Sequence, residues 1–268
     1  MFLERAMQLA GKRVREMMEV FSPSHLEDLC AELPPPPSLS AALRSRAEAE
    51  VGIIAEIKRR SPSRGDIRPS LRVAETARAY RRGGARAISV LTEPDFFGGS
   101  LQDLAEAATA VDLPVLRKDF ILDRYQLLEA RAAGAAAVLL IATALESRQL
   151  SRLLAGAREL GMECLVEVHD DNDLEKALQA GAEMIGINNR DLVTLEVDLG
   201  TTARLAPLVP PSILLVAESG YRSAGDLVGL REMGVDAVLV GEALSGSRDP
   251  ERTLRELRAS RHPGQSEG

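Results

Sequence analysis

Gly134-Ala-Ala-Ala-Val-Leu-Leu-Ile141 is the stretch on which the fold turns. A glycine here ends a helix by taking the left-handed position at its C-terminus. The apolar run Ala137–Ile141 that follows has the length of a strand buried on both faces. The same unit recurs along the chain. Gly84-Ala85, Gly181-Ala182 and Gly234-Val235 each stand a few residues before another apolar run. Such runs occupy Val51–Ile57, Ala87–Leu91, Val115–Leu116, Ala137–Ile141, Cys164–Val168, Met184–Ile187, Ile213–Val216 and Ala237–Val240. Helical stretches rich in Ala, Arg, Glu and Leu lie between them. Strand and helix alternating at intervals of about 20 to 35 residues make βαβ units and a parallel sheet. Eight such units favour an α/β fold of the (β/α)8 TIM-barrel type over an open doubly wound sheet. The first run is not followed by Gly-x-Gly-x-x-Gly, which speaks against a dinucleotide site.

Composition agrees with this expectation. A chain of 268 residues suits one barrel, which takes about 250 residues. Aromatics make up only 3%, so the core must be aliphatic. The net charge of −7 without a basic block argues against nucleic acid as a partner. It leaves open a small phosphorylated molecule, held by a few placed cations and backbone N–H groups. Cys30 and Cys164 lack metal-ligand spacing and read as buried, reduced thiols. No apolar run approaches about 18 residues and no signal-peptide core is present, so a cytoplasmic protein without membrane contact is expected.

Residues 1–48 read differently from the rest. Phe2–Ala10 and Val14–Phe21 show helical spacing, Ser22-Pro-Ser-His25 breaks it, Pro34–Pro37 forms a stiff connector, and Leu39–Ala49 reads as another short helix. A helical extension packed on the barrel mouth is expected over 1–48, the barrel over 49–259 and a flexible tail over 260–268. Asp249-Pro250 suits the N-cap and first residue of a closing helix ending near Arg258.

In a (β/α)8 barrel the site lies at the C-terminal ends of the strands. The first run ends Glu56-Ile-Lys58, two charges on one face of an extended chain. The third leads into Arg117-Lys118-Asp119, where alternation sends only Lys118 toward the mouth. The fifth is Leu165-Val-Glu-Val-His169, with His169 either at the mouth or already in the loop. The sixth ends Asn188-Asn-Arg190, the seventh Glu218-Ser-Gly220 and the eighth Gly241-Glu242. Charged or amide groups at six of eight strand ends converge on one small mouth and perturb one another. Glu56, Lys58, Lys118, Glu167, Asn188 and Glu218 are therefore candidate catalytic groups. Two lysines beside glutamates keep their charge by pairing, while burial is expected to lower their pKa values and make one a usable acid. Ser219, Gly220 and Gly241 fall where such barrels bind phosphate. No cluster of His, Cys or Asp suits a metal.

These segments resemble the indole-3-glycerol phosphate synthase family: Ile54–Ser63, Ile88–Glu93 with Phe97–Ser100, Pro114–Ile121, Leu165–His169, Ile185–Leu192, Ala217–Gly220 and Leu239–Glu242. The resemblance covers nearly all of residues 51–250, in family order. It implies closure of 1-(2-carboxyphenylamino)-1-deoxyribulose 5-phosphate to indole-3-glycerol phosphate, with loss of CO2 and water, in tryptophan biosynthesis. It also implies no cofactor and no metal. By the resemblance, Lys118 is the general acid, Glu167 the base of the dehydration, and Lys58 an anchoring cation or second acid. Glu56, Asn188 and Glu218 support them. Arg190 and Ser61 contact substrate, and Ser219, Gly220, Gly241 and Glu242 form the phosphate side, Glu242 through its backbone N–H. Tyr221, Ser245, Leu39 and Leu195 depart from the family pattern without touching the acid or base. A monomer is expected, with a dimer as the alternative.

Two other readings compete. A phosphoribosylanthranilate isomerase would need a Cys/Asp pair at the strand ends, and neither Cys30 nor Cys164 is so placed. A non-catalytic barrel scaffold would have lost its strand-end polar residues, and here they are present.

Overall fold

The computed structural model describes residues 2–44 and 51–259. Eight parallel strands close on themselves: β1 (Gly52–Ile57), β2 (Ala87–Leu91), β3 (Val115–Lys118), β4 (Ala137–Ile141), β5 (Glu163–Val168), β6 (Met184–Asn188), β7 (Leu214–Glu218) and β8 (Ala237–Val240). Closure is direct, with Gly52 opposite Ala237 on one side of β1 and Ile54 opposite Ala87 on the other. Helices lie between the strands, so the molecule is a (β/α)8 TIM barrel. All eight runs expected from the sequence are strands, shifted by at most a residue or two at their ends. The glycines Gly84, Gly134, Gly181 and Gly234 that punctuate the repeat do adopt positive φ, between 80° and 93°.

The period of two divides each strand between two apolar layers. Ile54, Leu116, Leu139, Leu165, Met184, Val216 and Leu239 point into the barrel and pack together. Their neighbours Ile53, Ile88, Val138, Val166, Ile185, Leu215 and Val238 point out and pack under the helices. Every strand is therefore buried on both faces, which accounts for its near-continuous apolar sequence. Moving two residues along from an inward apolar position reaches the polar tier at the mouth: Ile54 to Glu56, Leu116 to Lys118, Leu165 to Glu167, Val216 to Glu218.

Three features differ from expectation. Phe2–Val20 is one helix, α1, and the Ser22–His25 break is a new beginning: Ser22 accepts from the His25 N–H as N-cap of α2 (Pro23–Glu32), with Pro23 in its first turn. A short antiparallel hairpin, Arg60–Ser61 against Gly65–Asp66, follows β1. Between β7 and β8 the crossover holds only a 3-10 turn, Ala224–Leu227; Gly225, Gly229 and Gly234 dilute helix propensity there. The expected helix Leu39–Ala49 is seen as α3 (Leu39–Leu43); residues 45–50 and the expected tail at 260–268 lie outside the described residues. The closing helix Pro250–Arg258 is capped by Asp249, which accepts from the Arg252 N–H at 3.0 Å.

Candidate active site

At the C-terminal ends of the strands lies a cavity of ≈ 1060 Å³, open solvent at its mouth included. Every candidate catalytic and substrate-contacting position named from the sequence lines it, including Ser61 and Arg190, whereas His169 does not. At its floor Lys118 Nζ is held 3.0 Å from Glu167 Oε2 and 2.8 Å from Glu218 Oε2. A second pair stands beside it, Lys58 Nζ 2.7 Å from Glu56 Oε1.

Two glycines make room for these side chains. A Cβ on Gly186 would collide with Glu218 Oε1, and one on Gly241 with Glu56 Oε1 and Lys58 Nζ. Both occupy inward positions where any other residue would displace a carboxylate. Ser245 adds a clamp that the sequence showed only as a departure from a family pattern. Its hydroxyl donates to the Glu56 carbonyl at 2.9 Å and accepts from the Lys58 N–H at 3.2 Å. Tyr80 Oη donates to the same carbonyl at 3.1 Å. The end of β1, and with it Lys58, is thus fixed from outside the barrel.

The charges at the floor are buried and act on one another. For Lys118, burial opposes the charge, but Glu167, Glu218 and Glu56 together outweigh it and hold the ammonium above the ordinary lysine range. This corrects the expectation that burial would lower it: carboxylates on two sides win. Burial likewise works against ionised Glu167, yet Lys118, His169 and Asn188 lower its pKa to about 2. Glu218 goes the other way. Burial, reinforced by Glu167 and Glu56 against the pull of Lys118, pushes it up to about 7. Its Oε1 is buried and has no hydrogen-bond partner among the described residues, as suits a carboxyl that gains a proton near neutrality.

The two ends of the cavity differ in chemistry. One is apolar, walled by Phe2 from α1 with Phe97, Phe120, Leu91, Ile141 and Leu192. Phe2 meets Phe120 edge-on at 6.0 Å and Phe96 at 4.9 Å. No single stretch of sequence marks this wall, because its residues come from separate strand ends, separate loops and α1. The other end is polar. Ser219 (φ 64°) and Gly220 (φ 96°) are successive left-handed residues, so backbone strain at the non-glycine Ser219 sits on the cavity wall. Around it, Glu242 gathers Arg190 at 3.0 Å, Arg64 at 3.3 Å and Arg222 at 3.7 Å. Arg64 and Arg222 were not singled out in the sequence, where they looked like ordinary loop arginines. Among the described residues no group of three His, Cys, Asp or Glu could hold a metal, and no helix is long and apolar enough to cross a membrane.

A closed barrel with a lysine–carboxylate floor and a rim of arginines drawn from the loops after β1, β6 and β7 defines a class: a (β/α)8 enzyme acting on a small anionic substrate. The family model for indole-3-glycerol phosphate synthase matches residues 3–257. The chain is 49% identical over 245 residues to the indole-3-glycerol phosphate synthase of Mycobacterium avium (strain 104), covering 91% of this chain and 89% of that protein. It is 51% identical over 232 residues to indole-3-glycerol phosphate synthase 2 of Streptomyces coelicolor, covering 87% and 89%. With the Dehalococcoides mccartyi synthase the figures are 48% over 236 residues, 87% and 90%. The chain belongs to the indole-3-glycerol phosphate synthase family. A solved thiamine phosphate pyrophosphorylase from Pyrococcus furiosus shares the fold alone, with a TM-score of 0.58 at 19% identity over 78% of this chain and 94% of that one.

Proposed function

We propose that this cavity carries out the reaction of the family, a carboxy-lyase ring closure in tryptophan biosynthesis, with Lys118 as the group that makes it go. The observation that carries the assignment is Lys118 itself, a buried ammonium held between two carboxylates that titrate apart. The substrate is 1-(2-carboxyphenylamino)-1-deoxyribulose 5-phosphate. Its aryl ring suits the Phe2–Phe120 end, and its phosphate suits the Ser219–Gly220 and Gly241 backbone with the arginines around Glu242. The ring carbon that bears the carboxylate attacks the ketone carbon, and negative charge develops on the ketone oxygen. Lys118 meets that charge and gives it a proton; an alkoxide is basic enough to take one even from an ammonium held above its usual range. Loss of CO2 restores the aromatic ring. Glu167 then removes the carbon-bound proton as the hydroxyl leaves as water, which completes the indole. Lys58, paired with Glu56, anchors the anionic substrate and serves as a second acid, and Asn188 and Glu218 hold the charges in register.

The reading extends to setting. Two free, buried cysteines, with the Cys164 thiol pushed up to about 12 by burial, support a reducing cytoplasm. The enclosure of the whole site within one barrel supports a working monomer. Within the extension, α1 supports a cap, through Phe2 and through Arg13, which sits 3.3 Å from buried Glu93; α3 lies at the other end of the barrel instead, where the Ser40 N–H bonds Glu163 at the start of β5 and Arg44 bonds the Ser212 carbonyl.

The test is direct. Purified protein with this substrate should give rising indole fluorescence without added metal, and Lys118→Ala should abolish nearly all of it. Absence of turnover, or a Lys118→Ala variant that keeps most of it, overturns the assignment.

A further inference from the structure

His169 is a polar residue beside the cavity floor that the mechanism above leaves unused. It extends the inward row of β5, Leu165–Glu167–His169, two residues beyond the base. Its Nδ1 lies 3.2 Å from Thr143 Oγ1 and 3.6 Å from Asp173 Oδ2. Its Nε2 is buried, has no hydrogen-bond partner among the described residues, and faces Glu167 Oε1 at 3.4 Å. Lys118 holds the other oxygen, Oε2. The two oxygens of Glu167 are therefore divided between two nitrogen groups. Asp173 is fixed in turn: it accepts from the His169 N–H at 3.3 Å and from the Thr143 hydroxyl. Its helix, Asp171–Gln179, is capped by Asp170, which accepts from the Asp173 N–H.

We propose that His169, oriented by Asp173 and Thr143, is a positioning residue for Glu167, a cation that pins the plane of the carboxylate and keeps it ionised to act as base. The proposal rests on the reading of Glu167 as that base. The groups facing the imidazole account for its charge. Glu167 comes from its own strand, Asp173 and Lys176 from the following helix, Glu218 from β7 and Asp191 from the loop after β6. Lys118 stands on the far side of Glu167. Four are carboxylates, and the one nearby lysine on the helix is turned to Asp173 at 3.9 Å and to the carbonyls of Ala142 and Leu145. Burial works against imidazolium, but Asp173, Glu167 and Glu218 outweigh it, and His169 is held above the ordinary histidine range. An imidazolium between two carboxylates stabilises both, and the coupling is reciprocal.

Reciprocity gives a test that does not depend on turnover. The chain has three histidines, so the His169 ring can be followed by NMR through a pH titration. In Glu167→Gln its pKa should fall by about one unit, because one carboxylate is gone. In kinetics, His169→Gln should lower kcat about tenfold with KM nearly unchanged. The parent should lose kcat at alkaline pH as the imidazole deprotonates, and His169→Gln should abolish that limb. His169→Lys, which keeps a cation, should recover part of kcat and move that limb to higher pH. Thermal unfolding of each variant separates folding from function: a merely structural histidine would lower Tm and leave the pH profile in place. A His169 titration unmoved by Glu167→Gln, or a His169→Gln variant with unchanged kcat and pH profile, overturns the proposal. Normal turnover by Glu167→Gln instead removes the base reading, a different failure with a different signature.

Discussion

Two charge networks meet on three consecutive residues of β3 and its exit, and they could hardly be built more differently. Arg117 and Asp119 turn outward, under the helices, where Arg117 bonds Asp119 at 3.0 Å, Glu129 at 3.1 Å and the Gln126 carbonyl at 2.7 Å. Asp119 also accepts from Thr92 and from the Phe120 N–H. Lys118, between them, turns inward to two carboxylates, one of which has a buried oxygen without a partner among the described residues. Both networks are buried and both contain an ion pair near 3 Å. The outer one, although Asp119 borders the cavity, has its carboxylate oxygens and guanidinium bonded to protein partners. The inner one is incomplete and faces a cavity. Burial of charge alone does not separate structure from function; the unmet valence does.

This contrast can be broken by substitution. Arg117→Ala strands Asp119 and Glu129 without their cation, and should cost about 3–5 kcal/mol of stability in denaturant titrations. Turnover per folded molecule should stay close to the parent; a large loss in the folded fraction would mean that the outer network reaches the chemistry. Lys118→Ala also leaves two buried carboxylates without their cation, but unlike Arg117→Ala it should lose about 10²–10³ in kcat per folded molecule.

Glu218→Gln sharpens the comparison through pH. A carboxyl at about 7 in the folded protein and near its ordinary value when unfolded binds more protons when folded across the interval between. It therefore makes stability decline as pH rises through that interval, and level off above 7. The glutamine variant should lose that decline, so its stability relative to the parent is greater at pH 8 than at pH 5, by roughly 2 kcal/mol. An identical pH slope in both proteins would show that Glu218 titrates normally. The smallest effect belongs to the rim: removing α1, residues 2–20, should raise KM several-fold while the barrel still folds. Unchanged kinetics in the truncated protein would refute a capping role for α1.

How much of this the sequence disclosed follows from the range of the physics. A glycine that ends a helix answers to a local demand on φ, so Gly84, Gly134, Gly181 and Gly234 marked the repeat, and the repeat marked the barrel. The strand-end residues were legible because alternation is a property of the extended chain, and Glu56 with Lys58, or Glu167 with His169, needs only two residues to declare a shared face. What escaped depends on partners far away. The direction of the Lys118 shift requires Glu218, 100 positions later. The aromatic wall requires Phe2 and Phe120 to be brought together by packing. The 3-10 turn in place of a helix after β7 had a signal, three glycines in ten residues, that the strength of the repeat overrode.

The Ser245 clamp has a consequence for how the molecule is made. Its bonds to Glu56 and Lys58 span 189 and 187 positions of sequence, almost the full barrel. On a ribosome, β1 is the first strand to emerge and its hydroxyl partner follows the eighth. Tyr80 can bond the Glu56 carbonyl early, but no fragment short of residue 245 makes the two serine bonds, so the full clamp forms only when the ring is shut. Pairings of such separation also slow the search for the native state. Synthesis order thereby acts as a quality check, since a chain stalled before its eighth strand carries the lysines but not the site.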